Sequence, residues 1–159
     1  MRDLISDMKV QLKDFSDDYI DTLAEIIMDA YQDFPEYGEP NIKKAKKYIK
    51  WLKNHSTLFK VLFVDDEPAG FVVADANWKS IDGKKVGEIH ELALKKKFWG
   101  KGLGKFLLET ALNHLKEHGV NTYGLWVGTG NKSAIELYKK YGFSPKYNYV
   151  KWLRMEKRV

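Results

Sequence analysis

Hydrophobic positions in the first third of the chain change from a period of two to the spacing of a helix. Apolar and polar residues alternate over Met8–Lys13, a pattern typical of a half-buried strand. Over Tyr19–Phe34 the apolar residues recur at helical spacing instead, and this segment ends at a loop spanning Pro35–Pro40. A second helix is predicted over Ile42–Lys53, because its lysines fall on the face opposite its apolar residues.

The middle of the chain continues with strands and then with a strand–helix–strand unit. Strands are predicted at Leu58–Val64, Phe71–Ala76 and Val86–Leu94. A leucine-rich helical stripe begins at Leu103 and stops near Gly119, and Thr122–Val127 is the next strand. Two strands that flank a helix in this way lie parallel with a right-handed crossover, so Val86–Val127 is predicted to be a βαβ unit.

One more helix and a final strand region complete the pattern. Asn131 is suited to cap the helix, Gly142 ends it, and Tyr147–Met155 is the strand region. The apolar face of this helix comprises Ala134, Leu137, Tyr138 and Tyr141. Since the chain contains no internal repeat, we expect a single domain over residues 1–159, of mixed α+β and α/β class. About four helices would cover a mixed, mostly antiparallel sheet.

Composition narrows the chemistry that this domain can perform. Hydrophobic residues make up 44% and charged residues 31%, which is typical of a globular protein, and the net charge of +5 favours anionic ligands. No apolar run is long enough for a membrane span or a secretory signal, so we expect a cytoplasmic protein without membrane contact. The absence of cysteine excludes thiolate metal sites and a covalent cysteine acyl-enzyme.

A glycine-rich loop stands between the predicted strand that ends at Leu94 and the predicted helix that begins at Leu103. Its sequence over Trp99–Lys105 reads W-G-K-G-L-G-K. At such a place, backbone N–H groups and the helix dipole can hold a phosphate, although a flexible basic turn is the simpler alternative. The loop is not a Walker A motif, because Phe106 follows Lys105, and its G-x-G-x-G spacing is not the Rossmann fingerprint.

The loop and four separated segments together resemble the GNAT superfamily of acetyl-CoA-dependent N-acetyltransferases. The family signature Q/R-x-x-G-x-G/A falls on Trp99–Gly104, after a strand end at Leu92–Leu94. The downstream pattern is matched by Leu125-Trp126-Val127, Asn131, Ala134, Tyr138 and Gly142-Phe143. The resemblance implies a GNAT fold, in which the two strands of the βαβ unit splay apart to form a cleft for CoA.

The resemblance also implies which residues bind acetyl-CoA, the expected cosubstrate. They are Leu92, Ala93, Leu94, Trp99, Gly100, Lys101, Gly102, Leu103, Gly104, Lys105, Asn131, Ala134 and Tyr138. Trp99 departs from the family pattern, which has Gln or Arg at this position. Lys101 and Lys105 can supply the missing charge, because a phosphate requires a nearby cation but not one particular side chain. Asn131 is equally suited to act as a helix cap.

Three residues are candidates for the proton transfers of an acyl transfer. By resemblance, Tyr138 would act as the acid at the departing thiolate, and Glu88 would be the base, as in the histone acetyltransferase branch. His90 shares the face of Glu88 by strand alternation, whereas Glu91 would point to the other face unless a bulge intervenes. The structural alternatives are a core tyrosine and a solvated strand face.

The expected activity is therefore transfer of an acetyl group to a primary amine by direct attack in a ternary complex. The acceptor could be a protein N-terminus, a lysine or a small-molecule amine. The first two helices and their loop would form its site, which looks aromatic and partly acidic at Tyr31, Phe34, Glu36 and Tyr37. The alternatives are an acyl-CoA sensor of GNAT fold and, less well supported, a basic nucleic-acid-binding module.

Other partners are not indicated by the pattern. His114 and His118 stand four residues apart on one helix, but no third ligand is evident, so no metal cofactor is expected. Lysines on the outer face of an amphipathic helix are usually solvated, so no nucleic-acid partner is expected either. We expect a monomer or a homodimer.

Overall fold

The computed structural model describes residues 8–159, in which a seven-stranded sheet is flanked by four α-helices. The strands are β1 (Val10–Asp14), β2 (Leu58–Val64), β3 (Glu67–Lys79), β4 (Lys85–Leu94), β5 (Thr122–Gly128), β6 (Ser144–Tyr149) and β7 (Trp152–Arg158). The helices are α1 (Ile20–Ala30), α2 (Ile42–Asn54), α3 (Leu103–Glu117) and α4 (Lys132–Lys140). Within residues 8–159 there is no helix with the length and apolar character that crossing a membrane requires.

The sheet has the order β1-β2-β3-β4-β5-β7-β6, and all its pairs are antiparallel except β4 with β5. That parallel pair is short, because only Gly87–Ile89 of β4 pairs with Tyr123–Leu125 of β5. Beyond Ile89 the two strands diverge, while β4 continues to pair with β3 as far as Leu94. The predicted mixed sheet, βαβ unit and splayed cleft are therefore confirmed.

A β-bulge in β4 changes which side chains share a face. Val73 of β3 pairs with Glu91, but the next residue, Ala74, pairs with Ile89, which leaves His90 as the extra residue. A bulge of this kind shifts the alternation by one residue. Glu88 and Glu91, three positions apart, therefore lie on the same side of the sheet.

Each side of the sheet has its own hydrophobic core. On one side, α3 buries Leu103, Leu107, Leu108, Ala111 and Leu115 against the sheet. On the other side, α1 and α2 bury Leu23, Ala24, Ile26, Ile27, Ala45, Ile49 and Leu52. Neither helix of the second side extends over the far half of the sheet, where β5, β6 and β7 lie. The uncovered part of the sheet, next to the helices, is where the larger cavity forms.

Two predicted boundaries are wrong for identifiable reasons. The final strand region, predicted near Tyr147–Met155, is a hairpin of β6 and β7 that begins at Ser144 and ends at Arg158, and its turn places Val150 at a φ of 56°. A β-branched residue is rare in this left-handed region, so no turn signal marks the reversal in the sequence. Helix α1 ends at Ala30 instead of Phe34, because Phe34 precedes Pro35 and is disfavoured from the helical region.

Candidate active site

The glycine loop leads directly into α3. Gly100 and Gly102 adopt φ values of 76° and 82°, which side chains rarely allow, and Gly102 is the residue that precedes the first turn of α3. No side chain caps this helix terminus. The N–H groups of the first turn therefore lack side-chain partners and can bind an anion, as the sequence predicts.

The lysines around the loop fall into two groups. Lys95 and Lys97 pair with Glu67 at 3.5 and 2.6 Å, and Lys96 pairs with Asp33 at 2.8 Å. Lys101 and Lys105 are exposed and form no ion pair within residues 8–159. Lys101 and Lys105 are also the two lysines that are predicted to supply the positive charge that Trp99 lacks.

Trp99 holds the loop against the end of β4. Its indole N–H donates a hydrogen bond of 2.8 Å to the carbonyl oxygen of Leu94, and its side chain stays partly exposed. Trp99, the residue that departs from the family signature, therefore anchors the glycine loop to the end of β4. It contributes no charge to the groove that the loop borders.

A groove of about 290 Å³ runs from this loop along β4. Of the predicted cofactor-binding residues, it is lined by Leu92, Ala93, Leu94, Trp99, Gly100, Gly104, Asn131 and Ala134. Of the other five, Lys101, Gly102, Leu103 and Lys105 lie in the loop and first helical turn beside it, with Leu103 buried in the core, and Tyr138 lines a neighbouring cavity instead. Asn131 also accepts a hydrogen bond from the N–H of Ala134, so it caps α4 as well as lining the groove.

A second cavity, of about 640 Å³, opens on the side of α1 and α2. It shares Tyr31, Leu92 and Asn131 with the groove, so the two spaces meet where β4 and β5 diverge. Its remaining lining residues are Ile27, Tyr37, Gly38, Glu39, Tyr48, Ile81, Ile89, His90, Glu91, Leu125, Trp126, Val127, Gly128, Tyr138, Tyr149 and Trp152. A ligand in the groove and another in the cavity would come into contact at this junction.

Glu91 lies in the cavity, held by two tyrosines. The hydroxyls of Tyr31 and Tyr48 each donate a hydrogen bond of 2.6 Å to its carboxylate, one to each oxygen. Burial raises the pKa of Glu91 to about 6, and the two hydrogen bonds oppose this rise. A carboxylate with such a pKa is ionised at neutral pH but accepts a proton more readily than an exposed one.

Tyr138 reaches the same cavity from α4. Its hydroxyl makes no hydrogen bond within residues 8–159, and its ring packs edge-on against Phe143. Burial raises the pKa of Tyr138, and the negative charge of Glu91 raises it further. The hydroxyl therefore keeps its proton at neutral pH and can donate a hydrogen bond into the cavity.

His90, the bulge residue, packs between two tryptophans. Its ring centroid lies 4.5 Å from that of Trp78 and 5.1 Å from that of Trp51. Burial lowers the pKa of His90 to about 4, so the ring is neutral at physiological pH. Its Nε2 atom is buried without a hydrogen-bond partner in the described residues. His90 lines the cavity, but it is a weaker base than Glu91.

Glu88 occupies a different environment from the one that a catalytic base requires. It is 2% exposed, it does not line the cavity, and its carboxylate accepts a hydrogen bond of 2.7 Å from Arg154, which is fully buried. Arg154 also pairs with Glu156 at 3.2 Å. Burial raises the pKa of Glu88, and the Arg154 guanidinium opposes that rise. The structure therefore separates Glu88 from Tyr138 and His90, which the cavity brings together with Glu91.

Comparison with known proteins adds to this geometry. A family model described as the Acetyltransferase (GNAT) family matches residues 20–143. The chain belongs to the GNAT acetyltransferase family. It is 39% identical over 150 residues to an uncharacterised N-acetyltransferase of Methanocaldococcus jannaschii, in a match that covers 93% of this chain. The match spans 66% of that GNAT relative's length, slightly less than two thirds.

Solved GNAT-fold structures resemble the chain over most of its length. A crystal structure from Pyrococcus horikoshii has a TM-score of 0.85 and 36% identity, and the match covers 95% of this chain and 99% of that one. The PaiA N-acetyltransferase of Thermoplasma acidophilum, solved in complex with coenzyme A, has a TM-score of 0.74 at 22% identity. That match covers 96% of this chain and 100% of the other. The resemblance on which the sequence analysis relies is confirmed.

The residues that sequence reasoning missed line the larger cavity of this GNAT chain. Tyr31 and Tyr37 do line the cavity, but Phe34 lines the groove, and Glu36 lines neither. Two further lining residues, Tyr48 and Glu39, were not expected there. Tyr48 stands on the apolar face of α2 and is indistinguishable by spacing from a core residue. Only the bulge at His90 brings Glu91 to the side on which Tyr48 lies.

Proposed function

We propose that the chain transfers the acetyl group of acetyl-CoA to a primary amine by direct attack in a ternary complex. The observation that carries this proposal is the junction at Tyr31, Leu92 and Asn131, where a groove bordered by a phosphate-suited loop meets a cavity with titratable residues. Because the chain has no cysteine, an acyl-cysteine intermediate is excluded. Because the groove and the cavity meet at this junction, donor and acceptor can be bound there together.

The glycine loop and the groove are suited to hold acetyl-CoA. The diphosphate would bind the N–H groups at the start of α3, with Lys101 and Lys105 as nearby cations. The pantetheine arm would follow Leu92–Leu94, and the thioester would reach the junction. A related fold solved in complex with coenzyme A supports this assignment.

Glu91 is suited to accept the proton that the amine loses. When the nitrogen attacks the thioester carbon, it becomes acidic and must release a proton, and Glu91 is the ionised acceptor closest to the junction. His90 is neutral but less basic, and Glu88 is paired with Arg154. An acceptor amine with a pKa near 10.4 must first lose a proton, at a cost of about 4 to 5 kcal/mol at neutral pH.

Tyr138 is suited to stabilise the departing thiolate. Its hydroxyl is protonated and unpartnered among the described residues, and it faces the cavity beside the junction. Because its pKa is raised well above that of a thiol, complete proton transfer to the sulfur is unfavourable. A hydrogen bond from Tyr138 to the developing negative charge is the role that its environment supports.

Release of free CoA thiol tests the proposal directly. The protein is incubated with acetyl-CoA and a panel of amines and peptides, and the thiol is titrated, with no background from the cysteine-free chain. We expect thiol release that depends on an amine. If CoA stabilises the fold but no acceptor gives turnover, the chain is an acyl-CoA sensor. If calorimetry detects no CoA binding and the chain binds nucleic acid in a salt-sensitive way, the proposal is wrong.

A pair of charge reversals tests the placement of the diphosphate. Lys105→Glu introduces a negative charge in the first turn of α3, whereas Lys116→Glu introduces the same charge at the exposed far end of that helix. We expect the dissociation constant of CoA to rise about tenfold or more in the first variant, an effect of at least about 1.4 kcal/mol, and to stay unchanged in the second. Equal effects would show that only the overall charge matters.

A further inference from the structure

Two carboxylates and no cationic side chain line the cavity. Glu91 lies in it beside the junction with the groove, and Glu39 lines it from the loop between α1 and α2. Lys and Arg are absent from the lining within the part of the chain that the structure describes. The two carboxylates are close enough for the charge of Glu39 to raise the pKa of Glu91. The cavity therefore repels anions and attracts positively charged acceptors.

Glu39 is a carboxylate without a partner of its own. It is half-buried, and within residues 8–159 its side chain forms neither an ion pair nor a hydrogen bond. By contrast, Glu91 already accepts two hydrogen bonds from tyrosines. A half-buried carboxylate gains most from a charged donor when nothing else neutralises it, so Glu39 is suited to bind a cationic group of a ligand.

Aromatic side chains form the walls next to these carboxylates. They are Tyr37, Trp126, Tyr149 and Trp152. Aromatic faces provide contact area for an aliphatic chain and attract an ammonium group. The Arg154 guanidinium behind Trp126 lies 5.3 Å from the ring centroid, but Glu88 and Glu156 neutralise it. The Lys151 ammonium likewise lies 5.7 Å from the Trp152 ring centroid. The rings of Tyr37 and Tyr149 are therefore the ones suited to contact an aliphatic cation.

The loop between α1 and α2 is fastened across one side of the cavity. The Gly130 N–H donates a hydrogen bond of 2.7 Å to the Tyr37 hydroxyl, and the Tyr37 ring lies 2.4 Å from where a side chain on Gly128 would begin. The same ring packs 5.4 Å from that of Trp152. The Lys151 ammonium also donates to the carbonyl oxygen of Glu36. This closure disfavours an extended peptide crossing the cavity and favours a slender small molecule.

We propose that the preferred acceptor is a small linear aliphatic diamine, whose far ammonium group pairs with Glu39 while its near nitrogen is acetylated beside Glu91. This inference rests on the proposed function. The near nitrogen, in its neutral form, forms a C–N bond with the thioester carbon as the C–S bond breaks. Its extra proton passes to Glu91, and CoA leaves as the thiolate, so no oxidant or reductant is required. The far nitrogen keeps its charge throughout.

Three acceptors with chains of five carbons differ in the charge of the far end. Diaminopentane carries an ammonium group there, pentylamine a methyl group, and aminopentanoate a carboxylate. We expect kcat/KM with acetyl-CoA to be about 10 to 100 times higher for diaminopentane than for pentylamine, as for one charge-assisted hydrogen bond, and lowest for aminopentanoate. The diamine's advantage should shrink as the salt concentration rises.

Glu39→Gln tests whether Glu39 binds the far ammonium group, and Glu25→Gln, on the exposed face of α1, is the matched control. We expect Glu39→Gln to lower kcat/KM for diaminopentane to within about threefold of that for pentylamine measured in the same variant. The control should keep the full preference. If both variants lost the preference for diaminopentane, the assignment of Glu39 would be wrong, because removing a negative charge at either position would then have the same effect.

Other outcomes separate this inference from the proposed function. If pentylamine and diaminopentane react equally well in the parent protein, the proposed function holds and the diamine inference is wrong. If a short peptide is acetylated faster than diaminopentane, the acceptor is a peptide and the inference is again wrong. If no amine reacts, the binding of diaminopentane to the CoA-loaded protein is measured by calorimetry. Absence of binding in that experiment also overturns the inference.

Discussion

Strand β4 carries a buried carboxylate, Glu88, and a partly buried one, Glu91, on one side of the sheet, and the two lie in contrasting surroundings. Glu88 faces the guanidinium of Arg154 at 2.7 Å, in a network with Glu156. Glu91 forms no ion pair within residues 8–159, and the neutral hydroxyls of Tyr31 and Tyr48 each donate a hydrogen bond of 2.6 Å to it. A full positive charge stabilises the ionised form of a carboxylate much more than two neutral donors do.

This difference teaches why one of the two is suited to proton transfer and the other to structure. Protonating Glu88 would leave the buried charge of Arg154 with one partner fewer, which is unfavourable. Protonating Glu91 removes a negative charge from a cavity in which Glu39 also carries one. The environment of Glu91 therefore favours an exchangeable proton, while that of Glu88 favours a permanent ion pair.

The largest expected effect comes from removing the charge of Glu91. We expect Glu91→Gln to lower kcat/KM for an amine acceptor by about a thousandfold at pH 8, which corresponds to about 4 kcal/mol, because the amine then has no base at the junction. Steady-state kinetics of CoA release measures the loss. CoA binding, measured by calorimetry, should stay within about twofold, since Glu91 does not line the groove.

Glu88→Gln is the matched substitution on the same strand. We expect its kcat/KM to stay within about fivefold of the parent value, because Glu88 does not line the cavity. If Glu88→Gln instead abolished activity while the fold and CoA binding survived, Glu88 would be the base, as the family resemblance suggested. The contrast between the two glutamates would then be reversed.

The second effect concerns folding stability and acts through the Glu88 network. We expect Arg154→Met to lower the free energy of unfolding by about 3 kcal/mol, because it leaves Glu88 buried without its cation, while Glu156 keeps Lys84 at 3.1 Å. Urea unfolding followed by tryptophan fluorescence measures the change. In the double variant with Glu88→Gln the loss should be smaller than the sum of the two single losses. Additive losses would show that the ion pair is not coupled.

The fold and the groove beside the glycine loop could be predicted from the sequence, because their signals are local. The glycine loop, the strand end at Leu92–Leu94 and the cap at Asn131 each occupy a few consecutive residues, and periodicity placed the βαβ unit at Val86–Val127. Leu58–Val64 was predicted with the bounds that the structure has. Local patterns of this kind need no knowledge of distant contacts.

The proton-transfer cluster could not be predicted in the same way, because it depends on one extra residue in a strand. Alternation without a bulge places Glu88 and His90 together and Glu91 on the opposite face. The bulge at His90 reverses the placement of Glu91, and no glycine marks it in the sequence. The partner of Glu88 is 66 residues away along the chain, at Arg154, a separation that periodicity cannot bridge.

The third effect is that the free energy of unfolding depends on pH through the ionisation of Glu91. Its pKa of about 6 in the folded protein lies above the value near 4.3 of an unfolded chain, so ionisation opposes folding. The free energy of unfolding of the parent protein, relative to that of Glu91→Gln, should therefore be greatest below pH 4, where Glu91 is protonated in both the folded and the unfolded state. It should fall by about 2 kcal/mol as the pH rises through 6 and then level off.

Unfolding free energies of the parent and the Gln variant at several pH values between 4 and 8 measure this change. The difference between the two proteins isolates Glu91, because every other titrating group is common to both. A difference that did not vary with pH would show that the carboxylate has an ordinary pKa. Its surroundings would then resemble those of an exposed residue.

The smallest effect comes from one of the two hydroxyls that hold Glu91. Tyr48→Phe removes a single hydrogen bond to the carboxylate, with Tyr19→Phe as a control, because the Tyr19 hydroxyl makes no hydrogen bond within the described residues. Since that bond favours the ionised form, its loss should raise the pKa of Glu91 further. We expect the acidic limb of the kcat/KM profile, near pH 6 in the parent, to move upward by about half a unit to one unit, as for about 1 kcal/mol.

At pH 8 and above, Tyr48→Phe should retain at least about a third of the parent activity, because Glu91 is ionised there in both proteins. A tyrosine that merely filled space would lower activity equally at every pH, so the shape of the profile separates the two roles. If the limb stayed at its parent position in Tyr48→Phe, the group that titrates near pH 6 would not be Glu91. The limb would then have to be sought in the acceptor amine, and the contrast between the two glutamates of β4 would concern structure alone.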